Sequence, residues 1–153
     1  MKIPDRALNG REYNMDFPYF VNQDAEMFSP LALAYIGDAV YEVYVRSYVL
    51  EKANTSVNKL HKTTTHYVSA RAQSNIIHSI EPHLTEEEIG VYKRGRNAHS
   101  NTSAKNADIV DYRHATGFEA VIGYLFIERR FDRLEELIKL SIETIKTENG
   151  GEL

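Results

Sequence analysis

Residues 29–52 read SPLALAYIGDAVYEVYVRSYVLEK. Ser29 followed by Pro30 has the form of a helix N-cap and first helical position. A hydroxyl can accept from a free backbone N–H there, and the proline after it has no N–H to satisfy. The stretch that follows is apolar on nearly every side, through Leu31, Leu33, Tyr35, Ile36, Val40, Tyr41, Val43, Tyr44, Val45, Tyr48, Val49 and Leu50. A helix of that kind belongs in the middle of a domain. It nevertheless carries Asp38, Glu42 and Arg46, spaced four apart and therefore on one stripe, with Ala34 one step further along it. Gly37 and Asp38, both poor helix formers, stand side by side at mid-helix. Local preference is broken where the core should be tightest, as happens at functional sites. On the residues alone, Asp38 is either a structural carboxylate satisfied by a neighbour or a working acid. Glu42 precedes Arg46 by four residues, the favoured orientation for an ion pair along a helix, so that pair reads as structural.

The chain has 153 residues, enough for one domain with one sizeable core. It contains no cysteine, which excludes disulfides, thiolate chemistry and cysteine-ligated zinc. The first residues, MKIPDRALNGREYN, have no apolar run and do not read as a signal peptide. The central helix is interrupted by charge and does not read as a membrane span. Cytoplasmic localisation and no membrane partner are the resulting expectations. Net charge is −4, from 18 basic and 22 acidic residues, which conceals an uneven distribution.

Residues 1–28 place Tyr13, Phe17, Tyr19, Phe20 and Phe28 among acids and prolines with no clear period. They read as an irregular segment whose aromatics pack on the domain, with a short helix near Gln23–Phe28. After a loop at 53–56, helical spacing runs from Val57 to Ile80, with Ser69 marking a bend between two shorter helices. No acid stands between Glu51 and Glu81, while Lys52, Lys59, Lys62 and Arg71 do. This is either a solvated basic face or a phosphate-facing one. His61 and His66 are five apart, the wrong spacing for two ligands on one helix face, which excludes a metal site there. Thr85-Glu86-Glu87-Glu88 is a capping box opening a helix that ends in the basic turn Lys93-Arg94-Gly95-Arg96-Asn97. From Lys93 to His114 there are five Lys/Arg against two Asp, around a small polar loop suited to lie along a phosphate backbone.

Asp108 reads as the N-cap of the next helix, whose core face is broken by Gly117 and Gly123. Glycine costs about 1 kcal/mol against alanine in a helix, so close approach of a neighbouring helix is the expected compensation. Glu119 stands between those glycines among core residues, a second isolated acid of the Asp38 kind. Asp132 reads as the N-cap of a last helix, from Arg133 to about Lys146. No strand signal is present, so the fold class is all-α. The organisation is an N-terminal segment (1–28), one helical domain (29–147) and a tail (148–153).

Leu33-Ala34-Tyr35-Ile36-Gly37-Asp38-Ala39-Val40 resembles the LEFLGDAV motif of the ribonuclease III family, and Phe118-Glu119-Ala120-Val121-Ile122-Gly123 resembles the core of its second motif, DTFEALIG. Order and separation agree. Over roughly 29–146 the chain resembles the Mini-ribonuclease III branch more closely, through Ala34–Ala39, Lys93–Asn97 and Phe118–Leu125.

The resemblance implies an all-helical homodimer that cuts double-stranded RNA with magnesium, manganese being a possible substitute. It implies Asp38 and Glu119 as the catalytic and metal-binding carboxylates. The two further acids of the wider family fall here at Ala34 and Thr116 and are missing, as they are in the Mini branch; this leaves the number of metal ions open. The chain stops at Leu153 with no room for a separate double-stranded-RNA-binding domain, so duplex contact is expected from the domain itself. The candidates are Lys62, Arg71, Lys93, Arg94, Arg96, Asn97 and Lys105. The implied substrate is the 23S ribosomal RNA precursor, with a ribosomal protein or pre-ribosomal particle as a further partner. Two other readings stand beside this one. One is a catalytically inactive, ribosome-associated RNA-binding module of the same fold, acting in ribosome assembly, for which Ala34 and Thr116 speak. The other is a purely structural helical dimerisation domain, which leaves the buried acids unexplained.

Overall fold

A computed structural model describes residues 17–98 and 108–151. Among them every regular element is helical: α1 (Pro30–Lys52), α2 (Val57–Val68), α3 (Ala70–Ile80), α4 (Glu86–Asn97), α5 (Asp108–Ile127) and α6 (Phe131–Glu148), with 3₁₀ turns at Ala25–Met27 and Glu81–His83. None of these helices is long and apolar enough to cross a membrane.

The starts of four helices follow from side-chain caps. Ser29 Oγ accepts from Ala32 N at 3.1 Å, and Ser56 Oγ from Lys59 N at 3.4 Å. Ser69 closes α2 and opens α3 in one residue, its Oγ accepting from Ala72 N at 3.1 Å. Thr85 and Glu88 exchange both bonds of the capping box, at 3.0 and 3.1 Å. Glu88 also lies 2% exposed against Arg133 of α6, at 2.8 Å, so the cap of α4 doubles as a buried ion pair between helices.

Three expectations at helix ends are corrected. Asp108 is the first residue of α5 rather than the cap before it. The last helix starts at Phe131 and runs to Glu148; Asp132 sits inside its first turn, and Arg130 precedes it without a side-chain cap bond. The turn is made instead by Arg129, at φ 56°, in the left-handed region. An acid in the first turn suits the helix dipole whether or not it caps, which is why Asp132 resembles a cap in sequence.

Helices α1 and α5 form the central pair; α3 and α4 cover α5, α2 covers α1, and α6 closes the core against α3 and α5. The central pair meets backbone to backbone at its glycines. A Cβ on Gly37 would stand 1.8 Å from Glu119 O, and one on Gly123 would stand 1.9 Å from Leu33 O. Gly95 and Gly117 make the same kind of close approach between α4 and α5, with Tyr92 over Gly117. The expected compensation for mid-helix glycine is therefore present at each crossing.

One face of α1 departs from the expected all-round burial. Tyr35 is 82% exposed and Val43 67%, with Leu50 also exposed. Tyr35, Ala39 and Val43 repeat every four residues, so they form one apolar strip open to solvent on the isolated chain. Of the N-terminal aromatics, Phe28 lies against the core and Phe20 meets Phe126 at 6.3 Å, whereas Phe17 and Tyr19 are largely exposed and Tyr13 lies outside the described residues.

Candidate active site

The crossing of α1 and α5 brings the two isolated acids together. Because Gly37 has no side chain, its backbone rests on the carbonyl of Glu119, and Asp38, the next residue, is carried to the same spot. The carboxyls of Asp38 and Glu119 are in hydrogen-bonding contact. Asp38 is exposed at the mouth and Glu119 is the deeper of the two. Burial, and then the hydrogen bond and charge of Asp38, push the Glu119 carboxyl up to about 9; Glu42 adds to this and Gln73 opposes it. Among the described residues, no basic side chain forms an ion pair with either acid. Two carboxylates held this close retain a proton between them unless a cation replaces it.

Glu42 does not join them as a third ligand. It keeps its ion pair with Arg46, at 3.3 Å, as its spacing predicts. Among the described residues no three Asp, Glu or His side chains gather as a metal cluster. Ala34 is buried in the core. Thr116 is buried too, and its Oγ1 donates to Tyr112 O at 2.9 Å, satisfied within its own helix. The oxygen donors are thus two carboxylates. That set suits a hard divalent cation such as magnesium, which takes oxygen ligands and retains several waters, so that one or two carboxylates suffice.

The basic residues are brought together only in part. Lys62 and Arg71 line one cleft of about 480 Å³ between the α2–α3 bend and the end of α6, with His66 and Asn75. Arg96 and Asn97 line another, of about 350 Å³, with Arg113 and His114 of α5. Arg94 faces a third groove, against Phe28 and Tyr124. Lys93 is exposed on α4, and Lys105 lies outside the described residues. Arg113 and His114 are additions to the expected set; His114 also meets Tyr92 Oη at 2.5 Å and His78 ring to ring at 4.7 Å. Burial, then the charges of His78 and Arg96, hold the His114 imidazole below its usual range, which favours its neutral form beside the arginines.

Gln73, on α3, is the neighbour of the acid pair that the sequence reading missed. It is an uncharged residue on an amphipathic helix, and only the packing of α3 on α5 reveals its place.

The ribonuclease III domain family matches residues 31–130. The chain is 56% identical to the Mini-ribonuclease 3 of Clostridium tetani, over 87% of this chain and 90% of that protein. It is 49% identical to the Mini-ribonuclease 3 of Enterococcus faecalis, over 83% and 98%. A Fusobacterium nucleatum protein of known crystal structure superposes with a TM-score of 0.70 and 29% identity, covering 80% of this chain and 98% of that one.

Proposed function

Since this chain belongs to the ribonuclease III family, within its Mini-ribonuclease 3 branch, we propose that Asp38 and Glu119 are the catalytic carboxylates of a magnesium-dependent enzyme that hydrolyses double-stranded RNA. That the chain is an endoribonuclease follows from the family. The observation that carries the finer reading is the contact of two acids from distant helices, neither in an ion pair with a basic side chain among the described residues.

Asp38 and Glu119 would hold the magnesium, with manganese a possible substitute. Bound there, such an ion lowers the pKa of a coordinated water and offsets negative charge on the phosphate. The chain itself supplies placement. Glu119 is fixed by the rigid α1–α5 crossing, Asp38 stands at the open side where a phosphate can approach, and Gly37 removes the bulk that would separate them. The expected products are 5′-phosphate and 3′-hydroxyl ends. Duplex contact falls to the basic clefts, Lys62 and Arg71 in one and Arg96 and Asn97 in the other, with exposed Lys93 and Arg94 as further contacts; Lys105, outside the described residues, is kept as a candidate on its charge alone. Phosphates and 2′-hydroxyls of an A-form helix are the groups such surfaces read. The apolar strip of α1 beside Asp38 suits a second copy of the chain, which would give a homodimer with two sites, one for each strand. The 23S ribosomal RNA precursor, in the cytoplasm and with a ribosomal protein or pre-ribosomal particle presenting it, is the substrate we favour.

A magnesium titration on a long RNA duplex, with a chelator control and analysis of the new ends, tests this. Cleavage that appears with magnesium, stops with chelator and leaves 5′-phosphates is expected. Ala34 and the self-satisfied Thr116 favour a second reading, a module that binds the duplex without cutting it; retained binding with no cleavage at any magnesium concentration would establish that instead.

A further inference from the structure

The acid pair has a third polar neighbour whose presence packing alone does not explain. Gln73 lies near the start of α3 and is 2% exposed. Its Nε2 donates to Val68 O, the last carbonyl of α2, at 3.0 Å. A carbonyl only accepts, so this bond fixes which end of the amide is nitrogen. The same side-chain amide reaches the Glu119 carboxyl and favours its ionised form, as a donor does. One N–H is thus held on Val68 O, and the other is left for the Glu119 carboxyl beside it. The carbonyl end differs: Oε1 is shielded from solvent and has no hydrogen-bond partner among the described residues. A buried acceptor left unmade is costly, and a leucine or methionine would fill this space without that cost.

We propose that Gln73 is a positioning residue of this centre: one amide N–H, anchored by its twin on Val68 O, aims the Glu119 carboxylate at Asp38, and Oε1 accepts from a water that enters with the cation. The inference rests on the reading of Asp38 and Glu119 given above. It gives the α2–α3 bend a role, since the anchoring carbonyl is available only because α2 ends at that point. Outer partners of this kind orient a ligand without touching the metal, and losing one typically lowers metal affinity or activity by about 10- to 100-fold.

The test uses Gln73→Leu, which removes both functions of the amide at similar volume. Titration calorimetry with Mn²⁺ alone, without RNA, should show affinity lowered about 10- to 100-fold. On an RNA duplex, kcat should fall while KM for the duplex stays unchanged. Cation affinity and kcat both within twofold of the parent would overturn the proposal. The parent protein supplies a reading that does not depend on the variant folding. The ¹⁵N cross-peaks of the Gln73 side-chain amide should shift on adding Mg²⁺, with the midpoint of cation binding; peaks that stay fixed through saturation would overturn it equally. Glu119→Gln separates the two levels. If that variant cleaves like the parent, the reading of the centre fails and Gln73 with it. If it is inactive while Gln73→Leu is unaffected, only the role of Gln73 fails.

Discussion

Glu119 is placed where its own charge is disfavoured, and that has a cost in stability as well as a use. In the unfolded chain the carboxyl ionises near its ordinary value of 4.5, whereas burial and Asp38 keep it protonated to about 9 in the fold. Between those values the folded state binds more protons, so this group's contribution to stability falls as pH rises from 4.5 to 9 and is level outside that window. Without divalent cation at pH 7.5, Glu119→Gln should therefore be more stable than the parent, by roughly 4 kcal/mol, and should lose less stability between pH 5 and 9. Thermal unfolding in chelator across that range checks it; a variant less stable than the parent at pH 7.5 would refute the assignment of strain to this carboxyl. Asp38 and Glu119 were legible in the sequence because a carboxylate among core residues breaks the burial pattern, and two such breaks beside glycines are conspicuous. Gln73 was not legible. An amide breaks no pattern, and its importance arises only where three helices meet.

At the scale of elements, the crossing of α1 and α5 is what makes the site. The two helices lie so close that Gly37 and Gly123 have no room for a methyl group, the obstructing atoms being backbone. Gly123→Ala must push the helices apart. Overpacking of this kind typically costs about 1–3 kcal/mol and here, against backbone, should reach at least the upper end. Denaturant unfolding should show that loss, with weaker cation binding in whatever folds, because Asp38 and Glu119 separate with the helices. Two helix starts were readable from local chemistry, Ser29 and Thr85 capping as their sequence context implies; Ser69 reads in sequence only as a bend, and the structure adds its cap on α3. The start of α6 was not, because a left-handed Arg129 makes the turn and Asp132 merely suits the dipole. Nor was the open face of α1. Tyr35 and Val43 are as apolar as their buried neighbours, and nothing in one chain distinguishes a core face from a face kept for a partner.

For the whole molecule, a chain of net charge −4 meets a polyanion only if its cations are segregated, and they are. Helix α4 begins with Glu86, Glu87 and Glu88 and ends with Arg94 and Arg96, while the α2–α3 bend presents Lys62 and Arg71. Duplex affinity should drop steeply with salt, and Arg96→Ala, in the cleft shared with Asn97 and Arg113, should reduce the slope of log affinity against log salt by about one. A slope unchanged by that substitution would remove the cleft from the RNA surface. The strip of Tyr35, Ala39 and Val43 should be covered by a second copy; Val43→Asp should convert a dimer to a folded monomer in sedimentation, and a parent that sediments as a monomer at micromolar concentration would contradict this. All of these surfaces serve one claim, that the acids meeting at the α1–α5 crossing cut RNA. The most direct measurement is cleavage of a long RNA duplex in magnesium by Asp38→Asn and Glu119→Gln beside the parent, with duplex binding measured on the same samples. Loss of cleavage by about a thousandfold or more with binding retained, as for removal of a group that acts in the transition state, is the predicted result; cleavage within tenfold of the parent by either variant would contradict it.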